Sequence, residues 1–334
     1  MIDNVFDFIT NKCHFSCKHC FIGAGAKLPE ELSGEDRIKF FFKLRENGMK
    51  FYNFLGGEPV IHPYFFQMYK AAINIFPNVR IQTSGSFDLS NLPYSENVML
   101  EFSLEDSNPA FDENIRMPGH FESCIRNIML SKRTGFNVYI RATLFQNNDY
   151  KGLINLAKRL GVGVTFVRFI AEGRGKIYKN EVPTKERLIE VYNYVESLRT
   201  SGDLSVMIED TPFYAWDNYT FNNYKDVFLK AGQICPGGIR RCAISADGNI
   251  YYCQMLMNPK FKLGSINDEW KLIEEKGEKI VEKFSDMPVK GECQECSFFG
   301  FCRGGCRFYA QDGKIGDVEC PVPSLMKIRV KEVV

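Results

Sequence analysis

Residues 5–20 have the sequence VFDFITNKCHFSCKHC, an apolar segment that runs directly into three closely spaced cysteines. The apolar run Val5–Thr10 predicts a buried strand, and Cys13, Cys17 and Cys20 follow it with C-x3-C-x2-C spacing. Three thiolates on one tight loop can hold three irons of a [4Fe–4S] cube and leave the fourth iron free for another ligand. The alternative is a zinc loop, although zinc usually takes four ligands from paired C-x2–4-C segments.

The chain that follows this loop alternates between helical and strand patterns as far as about residue 204. Such alternation predicts an α/β fold in which a parallel sheet is covered by helices. Six strand–helix units can form a partial (β/α)6 barrel similar to a TIM barrel, with the chemistry on loops at the carboxyl ends of the strands. The predicted strands are 5–10, 51–55, 79–83, 98–104, 138–145 and 162–170, and the predicted helices are 35–47, 62–75, 121–133, 150–160 and 184–198.

Composition excludes several classes of protein. The 334 residues carry 42 basic and 41 acidic side chains, so the charge balance gives no case for a DNA-binding protein. No apolar run reaches the roughly 18 residues of a membrane span, and the N-terminus lacks the features of a secretory signal. We therefore expect a cytoplasmic protein, in which 12 cysteines are more suited to metal binding than to disulfides.

The pattern changes in the last third of the chain. We divide the sequence into a barrel at 1–204, an aromatic linker at 205–234 and a small cysteine-rich domain at 235–334. The two short segments Ala243–Ser245 and Ile250–Tyr252 flank an Asp-Gly-Asn turn and predict a β-hairpin. Eight thiolates make two four-cysteine sites: Cys235, Cys242, Cys253, Cys293, Cys296, Cys302, Cys306 and Cys320.

Four segments give the first part of the chain a family resemblance. The cysteine triplet resembles the signature of the radical S-adenosylmethionine (SAM) superfamily, and residues 55–59, LGGEP, resemble its GGEP motif after the second strand. Residues 82–85 and 102–106 resemble two further strand ends of the family, although the second lacks the usual glycine. The resemblance implies that the following residues contact SAM: Gly56, Gly57, Glu58, Pro59, Ser84, Ser103, Arg141 and Arg168. It also implies SAM or substrate contact for Arg174, with a loop-bracing role as the alternative.

The C-terminal cysteines resemble the SPASM extension found in part of this superfamily, C-x9–15-G-x4-C followed by C-x2-C-x5-C-x3-C and a final cysteine. That resemblance implies three [4Fe–4S] clusters, one that binds SAM and two that are auxiliary. The nearer auxiliary cluster is expected at Cys235, Cys242, Cys253 and Cys306, with Cys242 the least secure ligand. The outer cluster is expected at Cys293, Cys296, Cys302 and Cys320. Two structural zinc sites are the alternative.

The resemblance also implies an activity. Such enzymes receive an electron from a flavodoxin or ferredoxin, cleave SAM to a 5′-deoxyadenosyl radical at the cluster of Cys13, Cys17 and Cys20, and abstract a hydrogen atom from substrate. We expect a ribosomally made peptide as substrate, to be crosslinked, oxidised or epimerised. The alternative is a small molecule such as an aminosugar, nucleoside or haem precursor, and a non-enzymatic metal scaffold is a third hypothesis. Because the first motif begins at residue 13, we expect no fused leader-binding domain before the barrel.

Two groups outside the motifs are also candidates. Glu209 and Asp210 are candidate proton acceptors, and the aromatic segment 213–224 either lines a substrate channel or packs between the domains. Cys124 fits neither cysteine set, so we interpret it as a core residue, with hydrogen-atom donation as the alternative.

Overall fold

A single ten-stranded sheet organises the chain. The computed structural model describes residues 1–25, 30–217, 235–310, 312–317 and 319–323. Across the sheet the strand order is β10-β9-β8-β1-β2-β3-β4-β5-β6-β7, and all pairings from β8 to β7 are parallel. The strands are β1 Asn4–Phe8, β2 Phe51–Leu55, β3 Asn78–Thr83, β4 Val98–Ser103, β5 Asn137–Leu144, β6 Gly163–Arg168, β7 Val206–Ile208, β8 Arg241–Ile244, β9 Asn249–Tyr251 and β10 Lys262–Ser265.

Helices connect the parallel strands and cover the sheet. The α/β prediction is therefore confirmed, although β3 leads to β4 without a helix, so five rather than six of the predicted strands are followed by one. The sheet within the described ranges is open rather than a closed barrel. The helices are α1 Gly34–Glu46, α2 Phe65–Ile75, α3 Pro109–Ile115, α4 His120–Thr134, α5 Tyr150–Leu160, α6 Lys185–Thr200, α7 Thr211–Trp216, α8 Trp270–Ser285 and α9 Phe299–Cys302. None of the helices that the model describes has the length and apolar character needed to cross a membrane.

The core lies between the sheet and its helices, and one buried ion pair crosses it. Phe41 of α1 packs its ring against Tyr52 and Phe54 of β2, with ring centroids 4.6 and 6.4 Å away. Beside them, Arg37 forms an ion pair with Asp7 of β1, and both side chains are almost fully buried. Arg37 also donates to the carbonyl of Ala246, 3.0 Å away, which ties α1 to the β8–β9 hairpin.

The structure differs from the sequence prediction after residue 204. The first part of the predicted aromatic linker has regular secondary structure, because Val206–Ile208 extends the sheet as β7 and Thr211–Trp216 forms α7. The cysteine-rich region is not only loops and a hairpin either, because it contains the 16-residue helix α8. Its buried face comes from Trp270, Ile273, Val281 and Phe284, which recur at helical spacing. The sequence prediction did not include this helix, although its apolar residues have helical spacing.

The predicted hairpin is present and joins the C-terminal region to the barrel. Strands β8 and β9 pair antiparallel, and Gly248 in their turn has a φ of +80°, in the left-handed region that favours glycine. On its other side β8 pairs in parallel with β1, from Asn4 beside Arg241 to Asp7 beside Ile244. The cysteine-rich region therefore shares one sheet with the barrel.

Candidate functional site

The carboxyl ends of strands β1 to β6 surround one deep cleft with a volume of about 180 Å³. This is the edge at which parallel α/β folds place their active sites. All three N-terminal cysteines line the cleft, together with seven of the eight predicted SAM contacts: Gly56, Gly57, Glu58, Ser84, Ser103, Arg141 and Arg168. The eighth, Pro59, is buried at the start of a short 3-10 turn and is not among the lining residues.

The three cysteines fit a multi-iron cluster. Backbone N–H groups of Phe15 and Ala24 donate to Sγ of Cys13 and Cys20, at 3.4 and 3.3 Å. Burial raises the pKa of Cys13 to about 11, so a bound metal must displace its proton. In the described part of the chain, no three His, Cys, Asp or Glu side chains converge on a point as one metal ion requires. Cysteines spread around one cleft suit a cube, in which each thiolate binds a different iron.

The glycines of the second motif hold the cysteine loop. The N–H of Gly57 donates to Thr10 O at 2.7 Å, and the N–H of Glu58 donates to Lys12 O at 2.9 Å. A Cβ on Gly57 would lie 2.2 Å from Lys12 O, closer than any real contact. Besides the close approach of a ligand that the motif predicts, these glycines allow the close approach of the backbone that leads into the cysteines.

Arg174 braces the same loop from the opposite side. Its Nε donates to Cys17 O at 2.9 Å, and its Nη1 donates to Ala24 O. The preceding Gly173 lies so close to the loop that a Cβ there would be 2.5 Å from Cys20 O. Arg174 lines the cleft, but its polar contacts are those of a loop brace, the alternative that the sequence analysis ranked second.

Glu58 lies at the base of the cleft and is anchored by the end of β3. Its two carboxylate oxygens accept from Thr83 Oγ1 and from the N–H of Ser84, both at 2.7 Å. Burial raises the pKa of Glu58, although these hydrogen bonds oppose the rise. A buried carboxylate of this kind favours a cationic ligand group such as an ammonium.

A second set of ion pairs lies where β5, β7 and β8 face the cleft. Arg141 Nη2 lies 2.6 Å from Glu209 Oε2, and Arg241 Nη2 lies 3.2 Å from Glu209 Oε1. Burial would raise the pKa of Glu209, but Arg141 and Arg241 hold it well below its ordinary value. Glu209 therefore holds a proton poorly, which disfavours it as a proton acceptor.

Asp210 has the opposite electrostatic environment. It accepts from Tyr192 Oη at 2.7 Å and lies 3.1 Å from Arg168 Nε, while Arg168 also pairs with Asp317. Burial raises the pKa of Asp210, and Arg168 only partly opposes this. Of the two candidate proton acceptors, Asp210 is the one whose surroundings favour taking up a proton.

A second cavity lies beside the first, toward the C-terminal cysteines. Its volume is about 70 Å³, and Cys235, Cys253 and Cys306 line it together with Glu209 and Asp210. The two cavities share one wall, which consists of Arg141, Val167, Arg168, Ile170, Gln254 and Met255. The N-terminal cysteines and the nearer C-terminal cysteines thus line adjacent cavities.

The C-terminal cysteines divide as expected, with one exception. Cys293, Cys296, Cys302 and Cys320 line a separate cavity of only about 10 Å³. Cys242, however, is not brought together with Cys235, Cys253 and Cys306. Its neighbour in β8, Arg241, faces the second cavity, so strand alternation directs the fully buried Cys242 to the opposite face of the sheet.

The remaining candidates have simpler outcomes. Cys124 is fully buried and its Sγ lies 3.7 Å from Ser103 O, which confirms its interpretation as a core residue. In the aromatic segment, Phe213 is buried and its ring lies 5.1 Å from that of Tyr192, while Tyr214 lines the second cavity. Residues 218–224 of that segment lie outside the described residues.

Sequence reasoning missed several residues of the site. Arg116 and Glu105 contact the cysteine loop. Tyr309 and Asp317 contact Arg168, and Gln254 belongs to the wall that the two cavities share. Glu105 had a weak signal, because it follows β4 directly in the segment compared with the family. Arg116 had none, since it is 99 positions from the cysteine whose sulfur it contacts.

Comparison with known proteins agrees with this geometry. Residues 8–160 match the family model described as the Radical SAM superfamily. The chain is 26% identical to the mycofactocin maturase MftC of Mycolicibacterium smegmatis, over 97% of this chain and 84% of that protein. It is 24% identical to an AdoMet-dependent heme synthase of Oleidesulfovibrio alaskensis, over 90% of this chain and 81% of that protein.

The fold also matches a solved structure over nearly its whole length. Streptococcus suis SuiB bound to its precursor peptide SuiA superposes with a TM-score of 0.75, 14% identity, and coverage of 96% of this chain and 76% of that one. The likeness therefore extends through the cysteine-rich C-terminal region. Residues 8–160 therefore form a domain of the radical SAM superfamily, which binds SAM and an iron–sulfur cluster, and the chain is an enzyme.

Proposed function

We propose that this enzyme modifies a ribosomally made peptide by hydrogen-atom abstraction, in the cavity between the N-terminal and C-terminal cysteines. The observation that carries the proposal is that the two cavities share six wall residues, so the N-terminal cysteines and the nearer C-terminal cysteines line adjacent space. A maturase relative that spans 97% of this chain, and a neighbour solved with its precursor peptide, support a peptide as the substrate.

The first part of the site binds SAM and its cluster. Cys13, Cys17 and Cys20 hold the cluster, which when bound supplies the electron that cleaves SAM. The buried carboxylate of Glu58 attracts the SAM ammonium toward Gly56 and Gly57. Ser84, Ser103, Arg141 and Arg168 complete the expected SAM contacts, and Arg141 is the cation placed to meet a carboxylate.

The second part of the site completes the oxidation. After its hydrogen atom has left, an oxidised substrate must also lose an electron and a proton. Asp210 takes the proton, because burial favours its protonated form. Cys235, Cys253 and Cys306 would hold an auxiliary cluster, which would supply an acceptor for the electron, while Cys242 lies on the opposite face of the sheet.

An outer cluster at Cys293, Cys296, Cys302 and Cys320 would then relay the electron to a flavodoxin- or ferredoxin-type protein. In this division of labour, residues 1–204 cleave SAM, residues 235–334 carry the auxiliary clusters, and residues 205–234 link the two and supply Glu209 and Asp210.

Release of 5′-deoxyadenosine tests the proposal. The anaerobically reconstituted enzyme is incubated with SAM, reductant and size-fractionated extract of the source cells. We expect stimulation by a peptide-sized, protease-sensitive fraction, and no release from the C13A, C17A or C20A variants. In C293A or C296A we expect SAM cleavage without product. Release by the C13A variant would contradict the assignment.

A small-molecule substrate is the second candidate, and one observation favours it. A relative named as a heme synthase aligns over 90% of this chain. Stimulation by a small, protease-resistant fraction would replace the peptide proposal with this one, and aminosugars, nucleosides and haem precursors would then be compared.

A further inference from the structure

A cation outside the family motifs touches the sulfur of one cysteine. Arg116 follows α3, and its Nη1 lies 3.8 Å from Sγ of Cys17, in hydrogen-bonding contact. The Arg116 side chain is only 8% exposed, so water screens its charge weakly. Nothing comparable is described at the other two cysteines, whose sulfurs accept from backbone N–H groups.

Buried carboxylates hold this cation in place. Arg116 Nη2 pairs with Oε1 of Glu105, and Arg116 Nε lies 4.0 Å from Oδ1 of Asp112. Glu105 is itself fixed, because its Oε2 accepts from the N–H of Thr143 at 2.6 Å and its Oε1 lies 3.3 Å from Nε2 of His19. Burial alone would raise the pKa of Glu105, but Arg116 and His19 hold it below its ordinary value, so Glu105 is an anion.

Fixed charges of opposite sign near a redox centre act in opposite directions. Reduction adds negative charge to an iron–sulfur cluster, so a neighbouring cation and a hydrogen bond to a ligand sulfur make reduction easier. A carboxylate behind that cation makes reduction harder.

We propose that Arg116 and Glu105 are a positioning pair that sets the reduction potential of the cluster held at Cys17. Arg116 raises the potential through its hydrogen bond and charge, and Glu105 limits that rise while it orients the guanidinium. The inference rests on the proposed ligands Cys13, Cys17 and Cys20.

A redox titration monitored by electron paramagnetic resonance tests the pair. The signal of the first cluster is identified by its loss in the C17A variant. We expect a more negative midpoint potential in R116Q, a smaller shift in R116K, and a shift to more positive potential in E105Q. The matched control is R174Q, because Arg174 contacts the carbonyl of Cys17 rather than its sulfur and should shift the potential less than R116Q does.

The opposite signs separate tuning from damage. If the substitutions merely loosen the loop, the variants should lose iron, or the midpoint potentials of R116Q and E105Q should shift in the same direction. Equal shifts in the two variants, or no shift in either, would overturn the inference. If R116Q fails to hold a cluster, R116K and E105Q still decide the sign. Absence of the cluster signal from the wild-type enzyme would contradict the proposed ligands instead.

Discussion

Substitution of Gly57 by alanine tests whether the second motif is needed to seat the cysteine loop. The added Cβ would lie 2.2 Å from Lys12 O and 2.8 Å from Asn11 O. Since C···O contacts normally lie near 3.3–3.6 Å, the loop or β2 must move by about 1 Å. Both atoms belong to backbone, so no side-chain rotation relieves the clash.

This displacement should have two measurable consequences. Overpacking of this kind costs about 1–3 kcal/mol of unfolding free energy. The movement also disturbs the chain directly before Cys13, so G57A should lose the iron of one cluster after anaerobic reconstitution and should no longer cleave SAM. Iron per chain, chemical unfolding of the metal-free protein and 5′-deoxyadenosine release measure these effects.

The matched control is G300A. Gly300 lies in a described helix, and a Cβ there would meet nothing within 4 Å. We expect G300A to bind iron and cleave SAM as the wild type does. A G57A protein with unchanged iron, stability and SAM cleavage would refute the argument that the glycine is needed for close backbone approach.

Three further predictions follow from the second cavity. In C242A the iron content should match the wild type, whereas C253A should lose one cluster's iron; equal losses would show that Cys242 is a ligand after all. In D210N, SAM cleavage should continue while the amount of product per cleaved SAM falls. In the wild type that ratio should fall as the pH is lowered, with a midpoint above that of an ordinary aspartate, because the raised pKa of Asp210 lets it take up a proton at a higher pH. A pH-independent ratio would contradict this. R168M should lower the unfolding free energy by about 3–5 kcal/mol at neutral pH, because it leaves the two buried carboxylates of Asp210 and Asp317 without their cation. This loss of stability should become smaller as the pH falls and protons neutralise the carboxylates. A loss that grows toward low pH would contradict the reasoning.

The barrel and its motif residues were predictable because their signals are local. The strand Phe51–Leu55 and the helix Tyr150–Leu160 have the predicted bounds, since apolar spacing and a following glycine mark both. Seven motif residues meet in one cleft because parallel strands place their carboxyl ends on one edge. The resemblance to the family had pointed to these seven residues, which lie on or just after the five strands β2 to β6.

The features that were missed depend on contacts between distant residues. Arg116 reaches Cys17 only through the fold, and Cys242 fits the cysteine spacing but faces the wrong side of β8. Spacing along a chain gives a cysteine's position but not the face of the strand to which its side chain points. The pairing of Arg168 with Asp317, 149 residues apart, likewise has no signal in the sequence.

The pairing of β1 with β8 has a consequence for biosynthesis. The strand that leads into Cys13 has residues 241–244 as its second neighbour. At about 5–20 residues per second, translation needs roughly 12–47 s between the emergence of β1 and that of β8. During that time one edge of β1 has no partner, and such edges invite aggregation. The nascent chain therefore completes the sheet around the strand that leads into Cys13 only after most of the protein has been synthesised.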